Sequence, residues 1–224
     1  MCGRGDVDYS AKKIREAFAN LGELEVHFEL AAPRHNVSPT DPVPVVRREG
    51  AHLTLDAVPW GVRDPKSNAK RPVTLVRAES VEHGSLASRA RGLVVFSKFY
   101  EWQGEKGQKR RPYAVAALDR RLLALAALCK RTVTDQGEVL ESCTIITQPA
   151  LGPLVEIHDR MPVLVPPAHF GTWLDPEAKT DAALTLVRAE APQLADALEP
   201  FPEDPYVLAH GPRVTKSNPQ RTLF

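Results

Sequence analysis

The sequence contains little cysteine, which already excludes several classes of protein. Its 224 residues include three cysteines, at positions 2, 129 and 143. Three widely separated thiols provide neither a disulfide framework nor the paired spacing of a zinc site. We therefore expect a protein of the reducing cytoplasm that binds no metal and needs no cofactor.

Long apolar runs and an excess of one charge are also missing. No segment approaches the roughly 18 apolar residues of a membrane span, and the first residues, MCGRGD, do not resemble a signal peptide. The 29 Lys+Arg and 28 Asp+Glu give a net charge of +1. This balance excludes a polybasic tail but not a local basic groove, and we expect no membrane partner.

Proline, in contrast, is abundant, with 20 residues against 13 glycines. So many prolines disfavour a helical bundle and favour short strands joined by stiff loops. Strand patterns fill the middle of the chain and helical patterns lie at its flanks, which predicts a β-rich α+β fold. We expect a single domain over residues 2–210 and a polar tail over residues 211–224.

The hydrophobic periodicity predicts individual elements. A helix is expected over residues 10–20 with Ser10 as its N-cap, and further helices over residues 167–174 and 182–198. Residues 113–117 and 122–128 are interpreted as a strand pair joined by a turn. Other strands are predicted over residues 25–30, 42–46, 53–58, 73–76, 93–96, 99–102 and 143–147.

Cys2 is notable for its position. Initiator methionine is generally removed before a small residue, which would leave Cys2 with a thiol and an α-amine on adjacent carbons. The amine has a pKa of about 7.7–8.0, so part of it is neutral and nucleophilic at pH 7. Such an aminothiol can condense with an aldehyde to a thiazolidine, or attack an amide. The alternative is a frayed terminal residue without a function.

Two further residues are candidates for proton transfer. Glu101 stands among aromatic residues at the end of an apolar strand, where burial would raise its pKa. The alternative is an outward-facing glutamate of an alternating strand. His158 is flanked by charges that can tune it near neutrality, or it lies on a surface turn before Pro162. Neither His158 nor any cysteine has a second ligand at metal-binding spacing.

Several residues are candidates for binding. Residues 34–40 are predicted to form a turn-rich loop in which Asn36 can bond to the backbone. Trp60 and Trp102 could stack on nucleobases, although most tryptophans are core residues. Cations that could line a groove, or simply a solvated face, are Arg77, Arg89, Arg91, Lys106, Lys109, Arg110 and Arg111.

Together these segments resemble the SRAP family, whose members sense abasic sites in single-stranded DNA. The matching segments occur in the family's order: MCGR (1–4), RHNVSPT (34–40), WG (60–61), RAESV (77–81), FYEW (99–102), TIIT (144–147) and IHDRMPVL (157–164), extended by WL (173–174). Each segment alone is weakly specific, but seven in order are a strong signal.

The resemblance implies a barrel-like sheet core and a specific chemistry. The Cys2 amine and thiol would capture the aldehyde of the opened abasic sugar as a thiazolidine crosslink. Glu101 would assist proton transfers, and His158 would exchange a proton with the sugar oxygen. The same Schiff base can allow β-elimination, which is a lyase activity.

The resemblance also implies a DNA-binding surface and a partner. It assigns phosphate contacts to Arg4, Arg77 and Arg160, and it places the aromatic rings of Trp60 and Trp102 at the DNA site. Asn36 and Pro39, in the turn-rich segment, belong to the same DNA-binding set. The partner would be single-stranded DNA with abasic sites, bound by a monomer that associates with the nucleoid within the cytoplasm.

The sequence departs from the family pattern at several places, including Cys129, where many members have tryptophan. The family usually has asparagine where this chain has Leu75, and leucine cannot hydrogen-bond to the sugar. Asn68 could replace it only if its loop folds back. Residues 95–98 (VFSK) stand where Pro-Ala-Asp-Gly is common, so the chain is interpreted as a divergent member.

Two alternative functions remain open at this stage. Class II glutamine amidotransferases also begin with Cys-Gly, but they use an oxyanion hole that is commonly an Asn-Gly pair, which this sequence lacks. The second alternative, motivated by Leu75, is a single-stranded DNA-binding module that forms no crosslink.

Overall fold

The structure, a computed structural model, describes most of the chain. The described residues are 3–28, 32–62, 72–82, 86, 89–104, 108–133, 136–137, 139–205 and 208. Cys2, Asn68 and the expected tail over residues 211–224 lie outside them. Among the described helices, none is long and apolar enough to cross a membrane.

The elements follow the order expected from the sequence, with strands in the middle and helices towards the ends. The helices are α1 (Ala11–Phe18), α2 (Ala78–Glu82), α3 (Phe170–Leu174), α4 (Thr180–Ala189) and α5 (Ala191–Asp196). The strands are β1 (Arg4–Val7), β2 (Leu24–Val26), β3 (Arg34–Val37), β4 (Pro42–Glu49), β5 (His52–Pro59), β6 (Leu75–Arg77), β7 (Ala90–Phe96), β8 (Lys98–Gln103), β9 (Arg111–Ala117), β10 (Leu123–Val133), β11 (Val139–Pro149), β12 (Arg160–Pro162) and β13 (Leu198–Pro202).

Local signals explain where several of these elements begin and end. The Ser10 side chain accepts a hydrogen bond from the Lys13 backbone N–H, so Ser10 is the predicted N-cap of α1. The helical pattern over residues 182–198 divides into α4 and α5. Pro192 lies in the first turn of α5, where a missing N–H is tolerated, and it could not continue α4.

The strands form two mainly antiparallel sheets. The smaller sheet has the order β13-β9-β8-β1-β3, and the larger has the order β12-β11-β10-β7-β4-β5-β2, with β6 parallel to β11. This architecture confirms the expected β-rich α+β fold. The described strands leave both sheets open, so the sheet core does not close into a barrel.

One core lies between the sheets and a second lies between the larger sheet and the helices. The first contains Val7 and Phe99 of the smaller sheet together with Val94 and Ile145 of the larger. The second contains Phe18 of α1, with other helix and sheet residues. Because strand side chains alternate between faces, the larger sheet is apolar on both sides.

The predicted strand pair over residues 113–117 and 122–128 is wrong in its pairing, although both strands exist. Strand β9 pairs with β8 and β13 in the smaller sheet, whereas β10 pairs with β7 and β11 in the larger. The turn at Arg120, whose φ is 57°, therefore carries the chain from one sheet to the other. A tight turn between two apolar strands does not by itself determine their partners.

Candidate functional site

Strand β1 directs the N-terminal segment towards Glu101. It runs antiparallel to β8, with Arg4 opposite Tyr100 and Gly5 opposite Phe99. Continuing this register by one residue places Gly3 beside Glu101. Gly5 allows the close approach, because a Cβ there would lie 2.6 Å from the Phe96 ring.

Glu101 is the buried acid of the site. Its side chain is 0% exposed, on the same face of β8 as Phe99 and towards the core between the sheets. Burial raises the pKa of this carboxyl to about 7, and the negative charge of Asp159 acts in the same direction. This excludes the outward-facing alternative and gives a group that can donate and accept a proton near pH 7.

His158 lies on the loop that faces the end of β8. The Gln103 side chain, two residues after Glu101, donates to the Glu156 carbonyl at 2.7 Å, two residues before His158. The His158 backbone N–H donates to the Leu154 carbonyl at 3.0 Å. These bonds hold the histidine loop and the glutamate strand together, so Gln103 is a positioning residue that the sequence analysis missed.

The hydrogen bonds of the loop determine the tautomer of His158. Its Nδ1 accepts the backbone N–H of Arg160 at 3.0 Å and also lies 2.7 Å from an Asp159 carboxylate oxygen. Burial lowers the pKa of His158, which favours the neutral ring. We assign the Nδ1 lone pair to the backbone N–H, because the Asp159 side chain is 81% exposed and can turn away. Nε2 then carries the proton.

Arg4 is held in place by the N-terminal and C-terminal parts of the chain. Its Nη1 donates to the Asn36 side-chain oxygen at 2.6 Å and to the Leu208 carbonyl at 2.9 Å. Asn36 has a φ of 57°, which asparagine tolerates, and its amide also donates to Leu208. The Arg4 guanidinium lies 6.0 Å from the centre of the half-buried Trp102 ring.

A buried carboxylate supports this arrangement. Asp6, 1% exposed, accepts hydrogen bonds from the Asn36 backbone N–H, His35 Nδ1 and the Tyr100 hydroxyl at 2.8–3.0 Å. Lys98, at one of the departures from the family pattern, lies 3.5 Å from the same carboxylate. Burial raises the pKa of Tyr100, so its hydroxyl remains a donor. No local pattern marks this cluster, because Asp6 lies in the short polar segment RGDV and its partners come from distant parts of the chain.

Arg160 and Arg77 lie on β12 and β6, the two strands that pair with the end of β11 in the larger sheet. Arg160 donates to both carboxylate oxygens of Glu79 at 3.0–3.1 Å and to the Thr147 carbonyl at 2.7 Å. This pairing leaves the Arg160 side chain 12% exposed. Arg77 ends β6, opposite Thr147, and is exposed to solvent.

Trp60 lies away from any surface that a nucleobase could reach. It is 0% exposed, packs edge-on against Phe96 and donates its indole N–H to the Thr74 carbonyl. This placement corresponds to the core alternative. Pro39, in contrast, is half-buried in a turn that Asp41 closes by accepting from the Ser38 N–H and hydroxyl.

Leu75, at the position where the family usually has asparagine, packs against the core between the sheets. It lies on the same face of β6 as Arg77, two residues further along. Among the described residues, no group of three or more His, Cys, Asp or Glu side chains is arranged to hold a metal ion.

Comparison with known proteins identifies relatives over most of the chain. The abasic site processing protein YoaM of Bacillus subtilis is 28% identical over 186 residues, covering 79% of this chain and 80% of that protein. YedK of Escherichia coli, also named an abasic site processing protein, is 27% identical over 186 residues, covering 79% and 81%.

Solved structures share the fold. A phage-related protein from Bordetella bronchiseptica superimposes with a TM-score of 0.71 at 24% identity, covering 90% of this chain and 94% of that one. A protein from Bacteroides thetaiotaomicron gives a TM-score of 0.72 at 18% identity, covering 97% and 99%. At these identities the likeness concerns the fold alone. The family model for SOS response associated peptidase (SRAP) matches residues 1–202, and the chain therefore belongs to the SRAP family.

Proposed function

We propose that this protein processes abasic sites in single-stranded DNA, and that it captures the opened sugar covalently through Cys2 after Met1 is removed. The observation that carries the proposal is Glu101, which is fully buried and has a pKa of about 7. It lies on β8, next to β1, the strand that leads to the N-terminus. The names of the relatives support the substrate class.

The proposed capture proceeds in two additions and releases one water. The α-amine of Cys2 adds to the C1′ aldehyde, and the carbinolamine loses water to give a Schiff base. The Cys2 thiol then adds to the imine carbon and closes a thiazolidine ring. Glu101 donates a proton to the departing hydroxyl and accepts the thiol proton, since its pKa allows both forms near neutrality.

His158 acts on the sugar ring in this proposal. A closed abasic sugar opens when its C1′ hydroxyl loses a proton and its ring oxygen gains one. A neutral imidazole with its proton on Nε2 donates a hydrogen bond to that oxygen and stabilises the charge that develops there as the C1′–O4′ bond breaks, while water supplies the proton and takes it back on reversal.

The same Schiff base supports a lyase reaction. The iminium makes a C2′ proton acidic, and its removal expels the 3′ phosphate by breaking the C3′–O3′ bond. Closure of the thiazolidine competes with this step because it consumes the imine. Crosslinking and strand cleavage are thus two outcomes of one intermediate.

Cations from both sheets would hold the DNA strand. Arg4 is fixed by Asn36, and Arg160 is fixed by Glu79, so both guanidinium groups are preorganised. Arg77 is exposed at the end of β6. Trp102 offers a half-buried ring beside Arg4 on which a nucleobase can stack, and Pro39 would border the strand.

The test is a denaturing gel of the protein incubated with single-stranded DNA carrying one abasic site. We expect a shifted band that Cys2→Ala removes. Cys2→Ser retains the amine and should form a Schiff base that borohydride traps, but no stable thiazolidine. A tag preceding Cys2 should abolish both products. A band of full yield with Cys2→Ala would overturn the proposal.

Two other outcomes would identify the alternative functions. Salt-sensitive binding to single-stranded DNA without a covalent product would identify a non-crosslinking binding module. Release of ammonia from glutamine, lost in Cys2→Ala, would identify an amidohydrolase. The burial of Glu101 favours the crosslinking protein, since neither alternative uses a carboxyl of raised pKa.

A further inference from the structure

A cleft of about 480 Å³ opens at the rim of the larger sheet, between β11 and the helices α4 and α5. This volume lies within the usual range for small-ligand sites. Its lining includes Glu82, Gln148, Pro149, Leu151, Arg188 and Pro192.

The cleft contains a buried hydrogen-bond donor that the described residues leave unpaired. Gln148 is 3% exposed, and its side-chain oxygen accepts from Arg188 Nε at 3.3 Å. This contact fixes the amide orientation, because a donor must face the oxygen. The amide nitrogen is buried without an acceptor in the described part of the chain. Such an arrangement is unfavourable unless a ligand or a water molecule supplies the acceptor.

A carboxylate and apolar walls complete the cleft. Glu82 holds Arg188 by a contact of 2.6 Å and stays 22% exposed, so it can still accept from a ligand. Pro149, Leu151 and Pro192 provide flat or apolar surfaces. The cleft therefore offers one donor and one acceptor above a surface on which a planar ring can lie.

The cleft adjoins the proposed DNA-binding residues. Pro149, in its wall, lies opposite Arg160 in the β11–β12 pairing. On α2, Glu79 holds Arg160 and Glu82 holds Arg188, and the two glutamates are one helical turn apart. A strand held by Arg160 would thus place a neighbouring nucleotide at the cleft.

We propose that the cleft binds the nucleobase of a nucleotide close to the abasic site, an inference that rests on the proposed function. A carbonyl oxygen or ring nitrogen of the base accepts the Gln148 amide N–H, and an amino or imino N–H of the base donates to Glu82. The ring lies against the proline and leucine side chains. The protein would in this way read the strand beside a lesion that has no base of its own.

The test measures equilibrium binding of single-stranded oligonucleotides that carry a tetrahydrofuran abasic analogue, which has no aldehyde and cannot crosslink. In a series of oligonucleotides, each flanking base is removed in turn, from three nucleotides before the analogue to three after it. For the wild type we expect the affinity to fall roughly tenfold when one particular base is absent. Gln148→Met, which keeps the shape but removes the donor, should show no such dependence at that position.

Two variants on α4 test the cleft independently of whether Gln148→Met folds. Thr185→Phe narrows the cleft from an exposed position on its rim. Leu186→Phe introduces the same aromatic side chain at an exposed position outside the cleft. Only Thr185→Phe should abolish the dependence on the flanking base. Equal behaviour of the two variants would overturn the proposal.

The same oligonucleotides, remade with a true abasic site, separate this inference from the proposed function. If the wild type crosslinks but no flanking base affects its affinity, the cleft is not a nucleobase site. If no crosslink forms at all, the proposed function itself fails, whatever the cleft binds.

Discussion

The burial of Glu101, which raises its pKa, also makes the stability of the fold depend on pH. Its pKa rises from 4.5 in the unfolded chain to about 7, so the folded protein holds this proton more tightly. The contribution to stability is complete at low pH and is lost as the pH rises from about 4.5 through 7. Above pH 7 the buried carboxylate destabilises the fold.

Glu101→Gln should therefore stabilise the protein at alkaline pH. The amide carries no charge, so we expect a gain in unfolding free energy of up to roughly 3 kcal/mol at pH 8 and almost none at pH 4. Thermal unfolding across this pH range measures the difference. Glu156→Gln, at an exposed position of the neighbouring loop, is the control. A gain independent of pH would contradict the burial of a titrating carboxyl.

Leu75 stands where the family usually has asparagine, so its side chain offers no hydrogen bond to a sugar. Leu75→Asn should speed or stabilise the crosslink, because the amide can hydrogen-bond to the abasic sugar. It should also reduce the unfolding free energy by about 1–2 kcal/mol, because Leu75 packs against the core. Leu75→Ala removes the packing without adding an amide and should not speed the reaction. Equal crosslinking rates in all three proteins would mean that another residue orients the sugar.

At the scale of residues, sequence reasoning predicted the types of groups better than their surroundings. The aromatic neighbours of Glu101 predicted a raised pKa, and the structure confirms it. The contacts that fix the other residues were not predictable: Asp6 acts through Asn36 and Tyr100, and Gln103 acts through the His158 loop. Such contacts join positions that are far apart in the chain, and no local pattern records them.

At the scale of elements, β1 is the strand on which the site depends. It is four residues long and lies between β3 and β8, and Gly5 lets it pass close to Phe96. Since β1 carries the N-terminus towards Glu101, its position determines whether the proposed nucleophile reaches the acid.

Gly5→Ala should displace β1 and slow crosslinking at least tenfold, because the added methyl group would overlap the Phe96 ring. Phe96→Ala alone opens a cavity and destabilises the protein by roughly 3–5 kcal/mol. In the Phe96→Ala background, Gly5→Ala should reduce the unfolding free energy by less than it does in the wild type. The difference between these two reductions is the coupling energy. Additive effects of the two substitutions would show that the close contact does not limit β1.

The elements themselves were largely predictable from the sequence, whereas their pairing was not. The α1 cap, the strands over residues 42–46 and 53–58, and the helical segments near the C-terminus all occur as local patterns predict. The pairing of β9 and β10 was predicted wrongly, because apolar strands joined by a turn fit one sheet or two. Which sheet each strand enters depends on packing against distant strands.

At the scale of the whole molecule, two open sheets enclose a core and bring both ends of the described chain to one site. Leu208 accepts hydrogen bonds from Arg4 and Asn36, so the C-terminal part of the chain helps to fix the N-terminal strand. Because the net charge is +1, the proposed DNA binding would depend on a few placed arginines and not on a basic surface.

The salt dependence of binding should reflect this small number of charges. Three phosphate contacts, from Arg4, Arg77 and Arg160, give an expected slope of about −2 in a plot of log affinity against log salt concentration. Arg77→Gln should make this slope shallower by roughly 0.7. Arg120→Gln, at an exposed arginine paired with Glu199 at the turn after β9, is the matched control and should leave it unchanged. A slope near zero in the wild type would contradict phosphate binding by these residues.

The mass spectrum of the crosslinked product shows whether the DNA is joined to Cys2 as a thiazolidine. Thiazolidine formation joins the protein without Met1 to the DNA strand and releases one water. We therefore predict a product whose mass is the sum of the two minus one water, and a modified peptide that begins at Cys2. A product that retains Met1, or that carries the DNA on any other residue, would exclude capture through the N-terminal Cys2.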